Sequence, residues 1–124
     1  MKPLTFGYFS LSGAESAREA GALAWALGEQ IKTVARLEGY CLAGVFSDVR
    51  TQSEAGLHSL RSSLTRGEAV AVIIPELSHL HHAGCLAGAD LVTAARYLRT
   101  RLIVGGFCAE ARVGSVLVRE AVGA

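Results

Sequence analysis

Short apolar segments rich in β-branched and aromatic residues alternate along the chain with longer segments in which apolar residues recur at helical spacing. The apolar segments predict four strands, at residues 4–11, 40–46, 69–75 and 101–107. The third of these is apolar at every position, which is typical of a central parallel strand buried on both faces.

The intervening segments predict three helices, at residues 14–38, 53–65 and 79–98. An apolar stripe along the first helix is formed by Ala20, Leu23, Leu27, Ile31 and Val34. The inner face of the second helix is formed by Leu57, Leu60 and Leu64. Gly39 and Gly67 follow these two helices, and glycine is the usual residue just beyond a helical C-terminus.

Strands that alternate with helices of this length require right-handed crossovers and a parallel sheet covered on both faces. We therefore predict a three-layer α/β fold with a mainly parallel sheet of four strands. The tail, residues 109–124, is compatible with a fifth, edge strand or with a short helix. Because 124 residues are too few for two independent cores, we predict one domain spanning residues 1–124.

Composition excludes several classes of protein. An apolar content of 51% excludes intrinsic disorder, and a net charge of +1 argues against a strongly basic, sequence-blind nucleic-acid binder. No apolar run reaches the roughly 18 residues of a membrane span, and the N-terminus does not resemble a secretory signal. Three widely spaced cysteines form no disulfide framework, so we expect a cytoplasmic protein without a membrane partner.

Ligands of parallel sheets bind beyond the carboxyl ends of the strands, so three loops are candidates: residues 10–16, 48–55 and 76–82. They contain no glycine-rich phosphate loop, and we predict no nucleotide or other cofactor. The first loop holds three serines, Ser10, Ser12 and Ser16. A serine here either caps the first helix or acts as a nucleophile beside a helix N-terminus.

The third loop contains three of the four histidines of the chain, at positions 79, 81 and 82. If residues 79–98 are helical, His79, His82 and Cys85 share one face, which is feasible for zinc or a small anion. Three ligands from one helix rarely complete a metal site. We therefore predict no resident metal and keep this site as an alternative.

In order and spacing, residues 4–107 resemble the catalytic domain of the serine recombinases, the resolvase and invertase family. The segments that correspond to family motifs are residues 8–12 (YFSLS), 45–48 (VFSD), 54–57 (EAGL), 66–67 (RG) and 77–82 (LSHLHH). The resemblance implies a resolvase-like fold with Ser12 as the catalytic nucleophile, which would attack a DNA phosphodiester. Arginines of the family stabilise the charge that develops on the phosphate.

This chain departs from the family at those arginines. Serine or histidine stands at three of the positions, Ser10, His79 and His82, and glutamate at a fourth, Glu54. Ser78 replaces the aspartate beside His79, and Ser16 replaces a glutamine. The candidate site therefore consists of Ser12 as catalytic residue, with a binding set of Tyr8, Ser10, Asp48, Ser78, His79 and His82.

Losing one preorganised donor costs about 10²- to 10³-fold in rate, and a neutral imidazole does not replace a forked guanidinium. We therefore expect a degenerate recombinase-like domain that lacks strand exchange and acts as an interaction or regulatory module. Its expected partners are a second copy or another protein, with DNA binding weak or lost. The enzymatic alternative is an active site-specific recombinase that uses Ser12.

Overall fold

The computed structural model describes residues 1–104, 107–112 and 115–120, with side chains described for residues 1–104. The strands are β1 (Leu4–Leu11), β2 (Cys41–Val49), β3 (Ala71–Ile74), β4 (Arg101–Val104), β5 (Phe107–Arg112) and β6 (Ser115–Glu120). The helices are α1 (Ala17–Leu37), α2 (Ala55–Thr65) and α3 (Leu91–Leu98). Two 3₁₀ turns, Leu77–Leu80 and Gly84–Leu86, lie between β3 and α3.

The described strands form one sheet in the order β2-β1-β3-β4-β5-β6. The first four are parallel, and β5 and β6 extend the sheet by antiparallel pairing. This confirms the predicted α/β class with a four-stranded parallel sheet, and it is consistent with a resolvase-like fold. The predicted fourth strand is too long, because β4 ends at Val104 and Phe107 already belongs to β5.

The tail contributes strands rather than a helix, as far as the structure describes it. Both β5 and β6 fall largely within it, so the sheet has six strands instead of the predicted four or five. The remaining tail residues, 113–114 and 121–124, lie outside the described residues.

Alternate side chains of β1, β3 and β4 enter two separate cores. On one face, Ile31 of α1 packs against a cluster that includes Phe9 and Ile73. On the other face, α2 and α3 cover a cluster that includes Tyr8 and Leu102. Helices on opposite faces are what right-handed crossovers between parallel strands produce.

The segment between β3 and α3 differs from the prediction. Instead of one helix over residues 79–98, the chain makes two 3₁₀ turns and then a helix of eight residues. Gly88 has a positive φ of 67°, and the carboxylate of Asp90 accepts from the Thr93 amide at 2.8 Å as the cap of α3. A left-handed residue followed by a new N-terminal cap interrupts a continuous helix.

The strand order places a crevice beside the end of β1. From β1 the chain crosses to β2 on one side, whereas β3 pairs with β1 on the other. Such a reversal opens a crevice at the carboxyl ends of the two central strands. Within the described residues, no helix is both long and apolar enough to cross a membrane.

Candidate functional site

A cleft of about 360 Å³ opens between the ends of β1 and β3. Its polar lining includes Ser10 near the end of β1, Ser12 just after β1, Arg50 after β2, and His79 after β3. The two carboxylates in its lining belong to Glu15 and Glu76. The fold thus brings together four of the predicted site residues, Ser10, Ser12, Ser78 and His79.

Ser12 is exposed and is held by its own loop. Its hydroxyl donates to the carboxylate of Glu15 and accepts from the Ala14 amide at 3.1 Å. The same carboxylate accepts from the amides of Ser12 and Gly13, each at 3.2 Å. The hydrogen bond from Ser12 lowers the pKa of Glu15, which is therefore ionised at neutral pH. The hydroxyl of the candidate nucleophile is thus hydrogen-bonded to an ionised carboxylate.

The cap of α1 is Ser16 rather than Ser12. The Ser16 hydroxyl accepts from the Glu19 amide at 3.2 Å, and the Glu19 carboxylate accepts from the Ser16 amide at 3.0 Å. This reciprocal pair is a capping box. Ser12 is consequently free of the capping role that a serine in this loop was expected to have.

Ser10 is buried and links β1 to the segment after β3. Its hydroxyl donates to the carbonyl oxygen of His79 at 2.8 Å and accepts from Nε of Arg50 at 2.8 Å. Nδ1 of His79 lies 2.9 Å from the Ser10 amide and 3.0 Å from its carbonyl oxygen. These contacts connect the end of β1 to the segment after β3, so Ser10 and His79 hold two segments together within the lining of the cleft.

His79 is uncharged at neutral pH. Burial lowers its pKa, and the nearby Arg50 guanidinium lowers it further against the opposing effect of the Ser10 hydrogen bond. The imidazole therefore does not supply the positive charge of the arginine that the resemblance to the recombinases implies at this position.

Asp48 lies outside this lining, in a buried cluster at the N-terminus of α2. Its carboxylate accepts from the amides of Gly56 at 2.6 Å and Leu57 at 2.9 Å. It also accepts from the Tyr8 hydroxyl at 2.7 Å, and burial followed by this bond raises the pKa of Tyr8. Two of the predicted binding residues, Asp48 and Tyr8, thus position α2 and contribute no free group to the cleft.

Gly56 makes this close approach possible. A Cβ at this position would lie 2.2 Å from the carbonyl oxygen of Ser47 and 2.9 Å from a carboxylate oxygen of Asp48. The glycine therefore permits the first turn of α2 to pack directly on the end of β2.

The histidine–cysteine grouping does not form. His82 packs against the Asp48 cluster, with Nε2 at 3.3 Å from the Tyr8 hydroxyl, whereas His79 bonds to Ser10 and Cys85 is exposed. Their separation follows from the loss of the predicted helix, since the shared face depended on helical spacing. No group of three histidine, cysteine, aspartate or glutamate side chains among the described residues could hold a metal ion.

Three charged residues of the cleft, Glu15, Arg50 and Glu76, were missed by sequence reasoning. Glu15 lies three residues after Ser12, and Arg50 lies just beyond β2. Glu15 sits in the loop that was considered, but no motif singled it out. Arg50 falls inside the second candidate loop, residues 48–55, and the signal that could have found it is a lone cation at the carboxyl end of a strand adjacent to β1.

The charged side chains that line the cleft do not favour binding of a phosphate. Arg50 contributes one positive charge and is already bonded to Ser10, whereas Glu15 and Glu76 contribute two negative charges. A carboxylate about 4 Å from a phosphate charge opposes it by about 1–4 kcal/mol at effective dielectric constants of 80 to 20. The Ser12 hydroxyl therefore stands in a locally negative environment.

No protein-family model matches this sequence, and no curated protein matches it at a significant level. The likeness to serine recombinases accordingly rests on the residues and spacings of the chain itself.

Proposed function

We propose that this chain is a degenerate serine-recombinase-like domain that does not exchange DNA strands and acts as an interaction or regulatory module in the cytoplasm. The observation that supports the loss of cleavage is the contact between the Ser12 hydroxyl and the ionised Glu15 carboxylate. Phosphoryl transfer needs cations at the position where this anion lies. The expected partner is a second copy or another protein.

Arg50 does not compensate for the arginines that are absent from the motif positions. Its Nε bonds to the Ser10 hydroxyl at 2.8 Å, and one terminal nitrogen lies 3.4 Å from the Ser10 carbonyl oxygen. These contacts use two of the five N–H donors of the guanidinium and leave fewer for a phosphate. The guanidinium would also have to outweigh two carboxylates in the same cleft.

An active recombinase remains the second candidate, and one geometry favours it. Ser12 is exposed, and Glu15 is positioned to accept the proton of its hydroxyl, as a general base would. In that reaction the Ser12 oxygen would bond to the DNA phosphorus as its proton moves to Glu15. A phosphoserine ester would form as the bond between phosphorus and a sugar oxygen of the DNA breaks, and that oxygen would take a proton from water and leave as a hydroxyl.

The two candidates differ in whether Ser12 becomes attached to DNA. The purified chain is incubated with sheared genomic DNA of its source organism, denatured and digested, and the Ser12 peptide is examined by mass spectrometry for a phosphate ester. An active serine recombinase on its own recombination site is the positive control. We expect no modified Ser12.

Variants make the result specific. An adduct that disappears in Ser12→Ala but persists in Ser59→Ala, an exposed serine on α2, would establish the active recombinase and refute the proposal. A chain that stays unmodified, both as it is and with Glu15→Gln, supports the proposal. An adduct in Glu15→Gln alone would show that Glu15 is what prevents cleavage.

A further inference from the structure

A second polar groove lies at the amino ends of the parallel strands, opposite the cleft that contains Ser12 (the Ser12 cleft). It opens between the C-terminal ends of α2 and α3, just before β3 and β4 begin, and encloses about 780 Å³. Its lining includes Arg61 and Arg66 from the end of α2 and Arg99 from the end of α3. We call this the arginine groove.

The charge of the arginine groove is opposite to that of the Ser12 cleft. Among the described residues, its lining contains three guanidinium groups and His58, but no carboxylate. The nearest carboxylate that the contacts identify is Glu68, which pairs with Arg66 at an exposed position outside the lining. A chain with a net charge of only +1 therefore concentrates positive charge at one place.

Two of the guanidinium groups are held in position. Arg61 lies over the ring of Tyr97, 4.1 Å from its centroid, in a cation–π contact. Arg66 donates to the Ser63 hydroxyl at 3.1 Å in addition to its pairing with Glu68. Preorganised donors lose less conformational entropy when a ligand binds, and this favours binding.

The remaining lining supplies complementary groups. Ser62 and Thr65 contribute hydroxyls, and Leu98 and Tyr97 contribute an apolar wall. Burial raises the pKa of the Tyr97 hydroxyl, which is therefore uncharged beside Arg61. A groove of this volume matches sites that enclose one small molecule, whereas specific DNA contact uses a larger surface.

From this combination we propose that the arginine groove binds a small molecule that carries a phosphate or diphosphate group. Forked guanidinium donors and hydroxyls are the groups that recognise such anions in proteins. This inference goes beyond the proposed function, because it involves the opposite edge of the sheet and does not depend on what Ser12 does.

The test is calorimetric titration of the chain with inorganic pyrophosphate at low ionic strength. We expect saturable binding with a dissociation constant below about 1 mM. ADP, titrated in parallel, tests whether the apolar wall contributes, and tighter binding of ADP than of pyrophosphate indicates an organic phosphate as the natural ligand. Equal binding of the two indicates recognition of the phosphate group alone, which the proposal also accommodates.

Matched variants locate the site. Arg61→Gln and Arg99→Asn should each weaken pyrophosphate binding about tenfold, the usual effect of losing one charge-assisted hydrogen bond. Asparagine is chosen at position 99 because this residue has a φ of 53°, which asparagine tolerates. Arg96→Gln, an exposed arginine of α3 that does not line the groove, should weaken binding less than twofold.

Three results would overturn the proposal. The first is the absence of saturable binding at about 5 mM pyrophosphate, and the second is a loss of pyrophosphate affinity in Arg96→Gln equal to that in Arg61→Gln. The third is that pyrophosphate does not bind, whereas a 20-base-pair DNA duplex binds and its affinity falls in Arg61→Gln and Arg99→Asn. The last would assign the groove to nucleic acid. Circular dichroism of each variant verifies that it is folded, and Ser12→Ala, which should bind normally, separates this test from that of the proposed function.

Discussion

The two ends of the parallel strands use their polar residues in different ways. We call the side where the strands end the carboxyl edge and the side where they begin the amino edge. At the carboxyl edge, charged and hydroxyl groups bond to one another: Asp48 to Tyr8 and to α2, Arg50 to Ser10, and Ser12 to Glu15. At the amino edge, guanidinium groups surround an open groove. At the edge that carries catalysis in many parallel-sheet proteins, most polar side chains here bond to one another. At the opposite edge, Arg61 stacks on Tyr97 and Arg66 pairs with Glu68, but no carboxylate lines the groove.

The difference shows why residue type alone does not identify a site. A buried carboxylate that accepts three hydrogen bonds has little capacity left for a ligand, although aspartate after a strand is a common catalytic residue. An exposed guanidinium stacked on a tyrosine keeps donors available. The variants below test whether each edge is structural or available for binding.

The largest effect is expected from breaking the carboxyl edge at Asp48. Asp48→Ala leaves two amides of α2 and the Tyr8 hydroxyl without their partner in a buried place, and should lower the free energy of unfolding by about 3 kcal/mol or more. Tyr8→Phe removes one of the three bonds and should cost about 1–2 kcal/mol. Urea unfolding measures both, and equal costs would contradict the central place of Asp48.

The next effect concerns the packing of α2 on β2. Gly56→Ala places a methyl group 2.2 Å from a backbone oxygen and should cost about 1–3 kcal/mol. Gly28→Ala is the matched control, because a Cβ there meets nothing within 4 Å in the middle of α1, and it should stabilise by about 0.5–1 kcal/mol. Destabilisation by both variants would show that the contact at Gly56 is not the cause.

The four parallel strands and the first two helices could be predicted because their signals are local. Apolar periodicity located β1, α1 and α2 to within a few residues, and Gly39 and Gly67 adopt the positive φ values expected beyond a helix. The segment after β3 could not be predicted in the same way. His79 and His82 have helical spacing in the sequence, but their side chains contact residues of β1, about 70 residues away.

The site shows the same limit. Ser12 and Ser10 could be found from their place after β1, but their roles depend on Glu15 and Arg50, which no motif marks. Whether a hydroxyl is a nucleophile, a cap or a link between segments is decided by the groups within about 3 Å of it. Tertiary structure determines those groups.

A smaller effect is expected in the pH dependence of stability. The folded-state pKa of His79 lies below its unfolded value of about 6.5, so the unfolded chain binds more protons and stability falls as the pH falls below about 6.5. His79→Asn keeps a polar atom near Ser10 and removes this titration. Urea unfolding from about pH 7.5 to 5 should give a flatter profile for the variant.

His58→Asn controls for the loss of an exposed histidine. A profile that is flattened equally by His58→Asn and by His79→Asn would show that burial of His79 is not the source of the pH dependence.

The smallest effect on stability is expected at Ser12. Its hydrogen bonds are local and exposed, so Ser12→Ala should change the free energy of unfolding by less than about 0.5 kcal/mol. Thermal unfolding checks this, with Ser10→Ala as the comparison. The Ser10 hydroxyl is buried between Arg50 and His79, so its loss should lower the free energy of unfolding by more. A larger cost for Ser12→Ala would make Ser12 part of the structural network.

The most direct measurement of the contrast between the two edges is a titration with inorganic pyrophosphate followed by amide chemical shifts in ¹⁵N-labelled protein. We predict saturable shifts at Leu98 and Arg99 in the arginine groove, and none at Ser12 or Gly13. Saturable shifts at Ser12 and Gly13 that Arg50→Gln abolishes would show that the cleft still binds phosphate, and would contradict the account.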